Sequence, residues 1–266
     1  TGTEPEGIIA FNIAFTDLAG NAGTAVTATT NSSSVTYDKT IPTLTAVTIA
    51  SNNLTTSLAK AGDLITLNFT AAEAIAIPTV TIGGTAVTPT NSGGNNWVAT
   101  QIVSGTTPEG VLAFNIAFSD LPGNAGTPVT ATTNSSTVTI DRTAPAVPTG
   151  LAATAGNTQN TITWNASPAP DLGKYILYAG TTINPTTAIQ TIPAGTLTYT
   201  HTGLTNGIGY FYRISAVDLT GNEGVKSANI VSVPKGAQTI TFNPLAASVY
   251  GATPITLTAT SSSALA

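Results

Sequence analysis

Residues 8–21, IIAFNIAFTDLAGN, return almost unchanged as VLAFNIAFSDLPGN at residues 111–124. The match extends without a gap from 1–42 to 104–145, so the two copies are offset by 103 residues throughout. That period is too long for a solenoid repeat, and it fits one β-sandwich domain of about 100 residues. The repeat therefore predicts separate sandwiches in tandem.

The pattern inside the repeat is typical of a strand that ends in a tight turn. Phe11, Ile13 and Phe15 alternate with small or polar residues, and a period of two indicates a strand with one buried face. The D-L-x-G-N that follows offers an Asx-turn residue and a Gly-Asn pair that tolerates positive φ. It predicts a hairpin whose second arm is the strand V-T-A-T-T-N-S-S-x-V-T. The same reasoning predicts further strands at 44–51, 64–70, 79–88 and 96–103.

The composition narrows the class of protein. Only 7% of the 266 residues are charged, and the net charge of −5 argues against a nucleic-acid partner, which needs a basic patch. No cysteine is present, so disulfides cannot stabilise the fold, and no apolar run reaches the 18 residues of a membrane span. The sequence also lacks a Ser-His-Asp order, a zinc-ligand spacing and a phosphate loop. We therefore expect a non-enzymatic chain without membrane insertion in this segment.

Segments of this sequence resemble two known protein families. The D-L-x-G-N hairpin, followed by Asp-x-Thr-x-Pro at 38–42 and 141–145, resembles the bacterial immunoglobulin-like repeats of large surface adhesins. Residues from about 145 to 235 resemble a fibronectin type III domain, in which Trp164 would be the core tryptophan and Tyr210 the corner tyrosine. QTITFNPLAASVYGATPITLTATSSSALA at 238–266 resembles the opening of another immunoglobulin-like module.

These resemblances imply an all-β fold of immunoglobulin-like and fibronectin type III-like sandwiches arranged end to end. Four domains are expected: the last strands of an incomplete immunoglobulin-like domain at 1–41, a complete one at 42–143, a fibronectin type III-like domain at 144–235, and the first strands of an incomplete domain at 236–266. Whether the incomplete domains are completed by further sequence or by neighbouring subunits stays open. Pro42 and Pro145 restrict the connections, which favours a semi-rigid rod.

The acidic residues follow the repeat, and they are the candidate metal ligands. In each copy one Glu precedes the hairpin, one Asp opens it and one Asp ends it, and an antiparallel pair brings the Glu and the last Asp to the same end of the domain. Carboxylates that converge without a neighbouring cation favour Ca²⁺, and the adhesin resemblance implies calcium at domain junctions. The alternative is that these acids only cap turns. The candidate ligands are Glu6, Asp38, Asp120, Glu109, Asp141, Asp171 and Asp218, with Asp63 as a further neighbour of the first junction.

The expected function is structural or adhesive. The resemblance implies a stalk, or a filament-forming subunit, of a bacterial extracellular surface protein. Its partners would be neighbouring domains of the same longer chain, or identical subunits in a filament. One alternative is a spacer region of a secreted polysaccharide-degrading enzyme. Another is a glycan-binding module in which loop residues such as Trp97 or Tyr178 hold the sugar.

Overall fold

The computed structural model describes residues 5–242, 244, 247, 250–251 and 258–261. Within those residues the regular structure consists of 21 β-strands and no helix, so the predicted all-β fold class is confirmed. The chain divides into two compact units, Thr1–Arg142 and Thr143–Ala266.

The first unit contains twelve strands among the described residues. They are β1 (Gly7–Ile8), β2 (Thr36–Tyr37), β3 (Leu44–Ser51), β4 (Leu58–Ala59), β5 (Leu64–Ala71), β6 (Thr79–Ile82), β7 (Thr85–Val87), β8 (Thr90–Gly93), β9 (Asn96–Ile102), β10 (Gly110–Val111), β11 (Phe114–Ala117) and β12 (Thr139–Ile140).

Three sheets of this unit enclose one core. Their strand orders are β3-β5-β9-β8, β11-β6-β7 and β10-β12-β4, with β12 and β4 parallel and the other pairs antiparallel. The alternation in the sequence places Val47, Leu67, Ile82 and Ile116 in the same buried cluster. On β3 and β5, the residues that alternate with the buried ones are more exposed. Among the described strands, β1 pairs only with β2, and this pair lies outside that core.

The strand predictions for the complete sandwich are largely confirmed. The strand predicted at 44–51 is β3, and those at 64–70 and 96–103 differ from β5 and β9 by one residue. The strand predicted at 79–88 is instead a hairpin of β6 and β7, because Gly83 and Gly84 both take positive φ and reverse the chain.

The prediction of one continuous strand for the second arm of the repeated hairpin was wrong. In the copy that begins at Val129, only β12 is regular strand. The Asn134 side chain accepts a hydrogen bond from the Ser136 backbone at 3.0 Å, and Ser135 has φ of 59°. This local turn interrupts the ladder, and the first copy repeats it at Asn31.

The second unit contains nine strands among the described residues. They are β13 (Ala152–Gly156), β14 (Gln159–Thr163), β15 (Leu172–Gly180), β16 (Ala188–Pro193), β17 (Thr198–Thr202), β18 (Tyr210–Asp218), β19 (Ile230–Ser232), β20 (Ile240–Phe242) and β21 (Ala259–Ser261).

The sheets β13-β14-β17 and β16-β15-β18-β19 form a two-layer sandwich around one core. Trp164 is buried there and meets the ring of Tyr175 edge-on, with centroids 5.5 Å apart. The hydroxyl of Tyr210 accepts a hydrogen bond from the Thr205 backbone at 3.2 Å. The predicted core tryptophan and corner tyrosine of a fibronectin type III-like domain are therefore confirmed.

The two cores lie inside the predicted complete domains. The first runs from Val47 to Ile140 and the second from Ile162 to Ala216. The division into four domains stays a prediction, and much of the predicted domain at 236–266 lies outside the described residues.

Candidate functional site

The repeated D-L-x-G-N loop closes on itself in the same way three times. In each loop the Asp carboxylate accepts hydrogen bonds from both the backbone and the side-chain amide of the Asn four residues later. The glycine before the Asn takes a φ of 89°, 107° and 91° in turn, a region that glycine enters without strain. The three Asp–Asn pairs are Asp17–Asn21, Asp120–Asn124 and Asp218–Asn222, with distances from 2.6 to 2.9 Å.

These hydrogen bonds favour the charged carboxylate. The side-chain amide of Asn21 and then its backbone N–H lower the pKa of Asp17 below its ordinary value. Burial raises the pKa of Asp120, but hydrogen bonds from Asn124 and Gly123 outweigh that effect and lower it. The loop hydrogen bonds therefore favour an ionised Asp17 and an ionised Asp120 without a metal, which favours the turn-capping interpretation of these two residues.

The two repeated glutamates cap the backbone after the last strand of each copy. Glu6 accepts from the Lys39 backbone at 3.1 Å and from the Thr40 hydroxyl at 2.8 Å. Those bonds, the Thr40 hydroxyl first, lower the pKa of Glu6. Glu109 accepts from the Arg142 backbone at 3.0 Å. Each Glu thus lies at the end of the hairpin where the last Asp leaves it, as the antiparallel pairing predicts.

Three carboxylates of the first unit lie close enough together to hold a cation. One oxygen from each of Asp38, Glu73 and Asp120 lies within 4.8 Å of the others. Asp120 is buried and the other two are half-buried, and the Asn124 amide donates to the Asp38 carbonyl at 3.2 Å. Because Ca²⁺ takes six to eight oxygen ligands, three carboxylates with nearby carbonyls and water match its chemistry.

Not every predicted ligand belongs to this group. Glu6 lies outside it, and Asp63 caps its own turn by accepting from Asn53 at 2.8 Å and from the Lys60 backbone at 2.9 Å. Glu73 lies outside the repeated segments, so no sequence pattern indicated it as a ligand. Its place beside Asp120 arises because the chain after β5 pairs at Ile75 with Asp120.

The remaining candidates are distributed over both units. In the second unit, Asp218 is buried and Asp171 half-buried, and one oxygen of each lies within 4.8 Å of the other. The Asp171 carbonyl accepts from the Leu219 backbone at 2.9 Å. Asp141, in the first unit, follows β12 and donates its backbone N–H to Ala59 at 2.9 Å. The calcium site predicted for Glu109, Asp141, Asp171 and Asp218 stays a prediction.

The rings suggested as glycan contacts are buried. Trp97 stacks parallel to Phe69 with centroids 6.5 Å apart. Tyr178 donates its hydroxyl to Glu223 at 2.5 Å, and its burial and that carboxylate raise its pKa. Neither ring is open to a sugar face, so this part of the glycan-binding alternative was wrong. Alternation in a strand does not distinguish a core aromatic residue from a binding one.

A polar network crosses the core of the second unit. The Asn160 amide donates to the Tyr212 hydroxyl at 3.0 Å, and Asn160 accepts from the Ser232 hydroxyl at 2.9 Å. Nδ1 of His201 lies 3.1 Å from the Tyr212 hydroxyl, which has its proton free to donate because Asn160 fills an acceptor position. This arrangement fits a neutral imidazole, and burial lowers the pKa of His201. The sequence did not indicate this role for His201.

No catalogued family model matches the chain. Exoglucanase B of Cellulomonas fimi is 32% identical to it over 247 residues, which is 90% of this chain and 21% of that protein. The chain therefore spans about a fifth of the length of this relative.

Two solved structures are also similar. A Fn3-like protein from Clostridium thermocellum is 32% identical, with a TM-score of 0.30 over 36% of this chain and 96% of that one. The fibronectin(III)-like modules of Clostridium thermocellum CbhA are 13% identical, with a TM-score of 0.40 over 73% of this chain and 94% of that one.

Over the described residues, the sheets and their two cores form immunoglobulin-like and fibronectin type III-like β-sandwiches. The prediction that the chain is non-enzymatic stays a prediction, since the chain matches only 21% of Exoglucanase B. The part of the chain that the structure describes contains no helix that could span a membrane.

Proposed function

We propose that this chain is a non-catalytic spacer within a secreted, extracellular polysaccharide-degrading enzyme. The observation that supports it is the similarity to Exoglucanase B, which extends over 90% of this chain but only 21% of that much longer protein. A match of this share fits an accessory region of two or more sandwiches better than a complete enzyme. The partners are then the neighbouring domains of the same longer chain.

The sandwiches suit a spacer because their stability is local. Each unit has its own buried hydrophobic core, which supports the folding of each sandwich by itself. Few charges and many Thr and Asn residues give a neutral, hydrated surface. Pro42 and Pro145 limit the flexibility of the connections, so the chain holds its neighbours at a set separation.

A chimera tests this proposal. The segment of Exoglucanase B that matches this chain is replaced by this chain, and a second variant carries a flexible Gly/Ser linker of the same length. We expect the chimera to retain hydrolysis of insoluble cellulose and the linker variant to lose part of it, with equal activity of both on a soluble glucan. Equal loss in both variants on the insoluble substrate contradicts a spacer role for this chain.

The adhesin stalk, the main expectation from the sequence, has less support. It shares with the spacer the coarser role of a structural segment in a longer chain, but the similarity described above is to an exoglucanase. A filament of identical subunits further requires self-association. Light scattering of the purified chain distinguishes the two, because a spacer stays monomeric and a filament subunit assembles as its concentration rises.

We also propose that Asp38, Glu73 and Asp120 bind Ca²⁺. The support is the convergence of the three carboxylates within 4.8 Å and the preference of Ca²⁺ for such oxygen ligands. A bound cation relieves the repulsion among them. Calorimetric titration of the chain with CaCl₂, with Asp38→Asn as the control variant, tests it; the absence of binding heat in both contradicts it.

A further inference from the structure

The hairpin of residues 5–38 presents an open apolar groove. Its volume is about 670 Å³. The residues that line it include Ile8, Ile9, Phe11, Thr29, Ser33 and Val35. Large apolar residues seldom form a continuous exposed face on a soluble protein without a partner.

The repeat supplies a second copy of this hairpin with the same internal hydrogen bonds. The Ile13 backbone donates to Val26 at 3.0 Å, and the corresponding Ile116 donates to Val129 at 2.9 Å. The turn residue Gly23 donates to Phe15 at 2.8 Å, and its counterpart in the second copy makes the same bond. The hairpin of 5–38 is therefore held by the same backbone hydrogen bonds as the hairpin of 108–141.

The two copies differ in what covers them. Ile13 is 56% exposed and Ile116 is 0% exposed. Val35 is 67% exposed, whereas the corresponding Val138 is 0% exposed. Identical residues at these positions thus belong to the core in one copy and to the surface in the other. The segment that packs on the buried copy therefore indicates what kind of segment would pack on the exposed copy.

In the covered copy, the edge strand β3 lies against the polar arm of the hairpin. The Val47 backbone donates to the Thr133 hydroxyl at 3.0 Å and accepts from the Thr133 backbone at 2.9 Å. The Ile49 backbone donates to the Ser136 hydroxyl at 3.0 Å. In the exposed hairpin the corresponding residues are Thr30 and Ser33, of the same types, so the acceptors for an extended strand are retained.

We propose that the groove of residues 5–38 binds an extended β-strand with the alternating Val/Ile pattern of β3, carried by a β-sheet segment of the same kind as residues 43–103. Side-chain hydroxyls of Thr30 and Ser33 fix the strand's register by hydrogen bonds to its backbone, and its apolar residues pack on Phe11 and Ile13. Strand addition of this type gains affinity from the main chain and specificity from alternate side chains.

A fusion tests this with the full chain. A duplicate of residues 42–103 is placed directly before Thr1, where the 103-residue offset aligns Thr1 with Ser104. The readout is hydrogen exchange of residues 5–38, with residues 108–141 of the same molecule as the internal standard. We expect exchange of 5–38 to slow by roughly 100-fold or more, towards the rate of 108–141.

The control fusion carries Val47→Asp and Ile49→Asp in the added copy only. It keeps the length and leaves the original sandwich intact, and its residues 5–38 should exchange as fast as in the unfused chain. Fast exchange of 5–38 in the unmutated fusion overturns the proposal. Protection of 5–38 in the unfused chain together with a dimer in light scattering also overturns it, since a second copy is then the occupant.

Discussion

The repeat allows one substitution to be made twice, in identical local sequence, with opposite consequences. Ile116 lies fully buried between β6 and the arm at Val129, whereas Ile13, its counterpart 103 residues earlier, is more than half exposed. Truncation of a buried Ile to Ala costs about 2–5 kcal/mol, because transfer free energy is lost and a cavity remains. Truncation of an exposed one changes stability by about 0.5 kcal/mol or less. Ile116→Ala should therefore destabilise the first sandwich strongly, and Ile13→Ala should not.

The two tryptophans make the measurement specific to each unit. Trp97 reports on the core of the first unit and Trp164 on that of the second, so a Trp164→Phe background leaves Trp97 as the only tryptophan. With a urea dependence of about 2 kcal/mol per molar, the middle of the usual range, Ile116→Ala should lower the unfolding midpoint by about 1–2.5 M. Ile13→Ala should leave it within about 0.3 M by the same relation.

The outcome that refutes this reasoning is an equal shift in the two variants. An equal, large shift means that the hairpin at 5–38 is packed in solution as tightly as its counterpart. Two negligible shifts mean that the hairpin at 108–141 does not belong to the core that Trp97 reports. Either result removes the assignment of one copy to the core and the other to the surface.

Three further predictions follow from the hydrogen-bonded groups. Asn222→Ala removes the side-chain amide that donates to buried Asp218, and it should lower the free energy of unfolding of the second unit by about 1–3 kcal/mol in urea. Asn21→Ala removes the corresponding amide in an exposed loop and should cost much less. Equal costs contradict the role of burial. Burial lowers the pKa of His201, so the folded state holds the neutral imidazole. The free energy of unfolding is therefore unaffected above the ordinary pKa near 6.5 and falls as the pH drops from there through the lowered pKa. The urea midpoint of the second unit, followed by Trp164 fluorescence, should fall from pH 8 to pH 5, and His201→Gln should flatten that dependence. Ca²⁺ at 100 times its dissociation constant should stabilise the first unit by about 2.7 kcal/mol, so its melting temperature should be higher in Ca²⁺ than in EDTA. Asp38→Asn should abolish this difference. An equal melting temperature of the parent chain in Ca²⁺ and in EDTA contradicts a calcium site.

The sequence predicted those features that depend on strand periodicity and on residues near each other in the chain. The bounds of β3 were predicted without error, since Val47 and Ile49 alternate cleanly with smaller residues. The hairpin turn at Asp120 was also predicted, because its hydrogen bonds all come from the next four residues.

Features formed by contacts distant in sequence were missed. Glu73 joins Asp38 and Asp120 only because three separate segments meet, and no local pattern records this. His201 meets Tyr212 across the two sheets of its sandwich. Period-two alternation identifies which face of a strand is inward, but not which inward residue meets which.

The recurrence of D-L-x-G-N in two different sandwich types bears on what the repeated acid does. The loop at Asp218 belongs to the fibronectin type III-like unit and that at Asp120 to the first unit, yet the hydrogen bonds are the same. A cause common to both must be local, and the capping bonds from the following Asn are local. A metal site, in contrast, needs ligands from elsewhere, such as Glu73. The repeated Asp is therefore explained by turn formation alone, and any cation binding depends on the carboxylates that each fold brings beside it. Glu73→Gln should thus weaken Ca²⁺ binding, measured by calorimetry, while leaving the hydrogen exchange of the Asp120 loop unchanged; a variant that loosens the loop as well contradicts this separation.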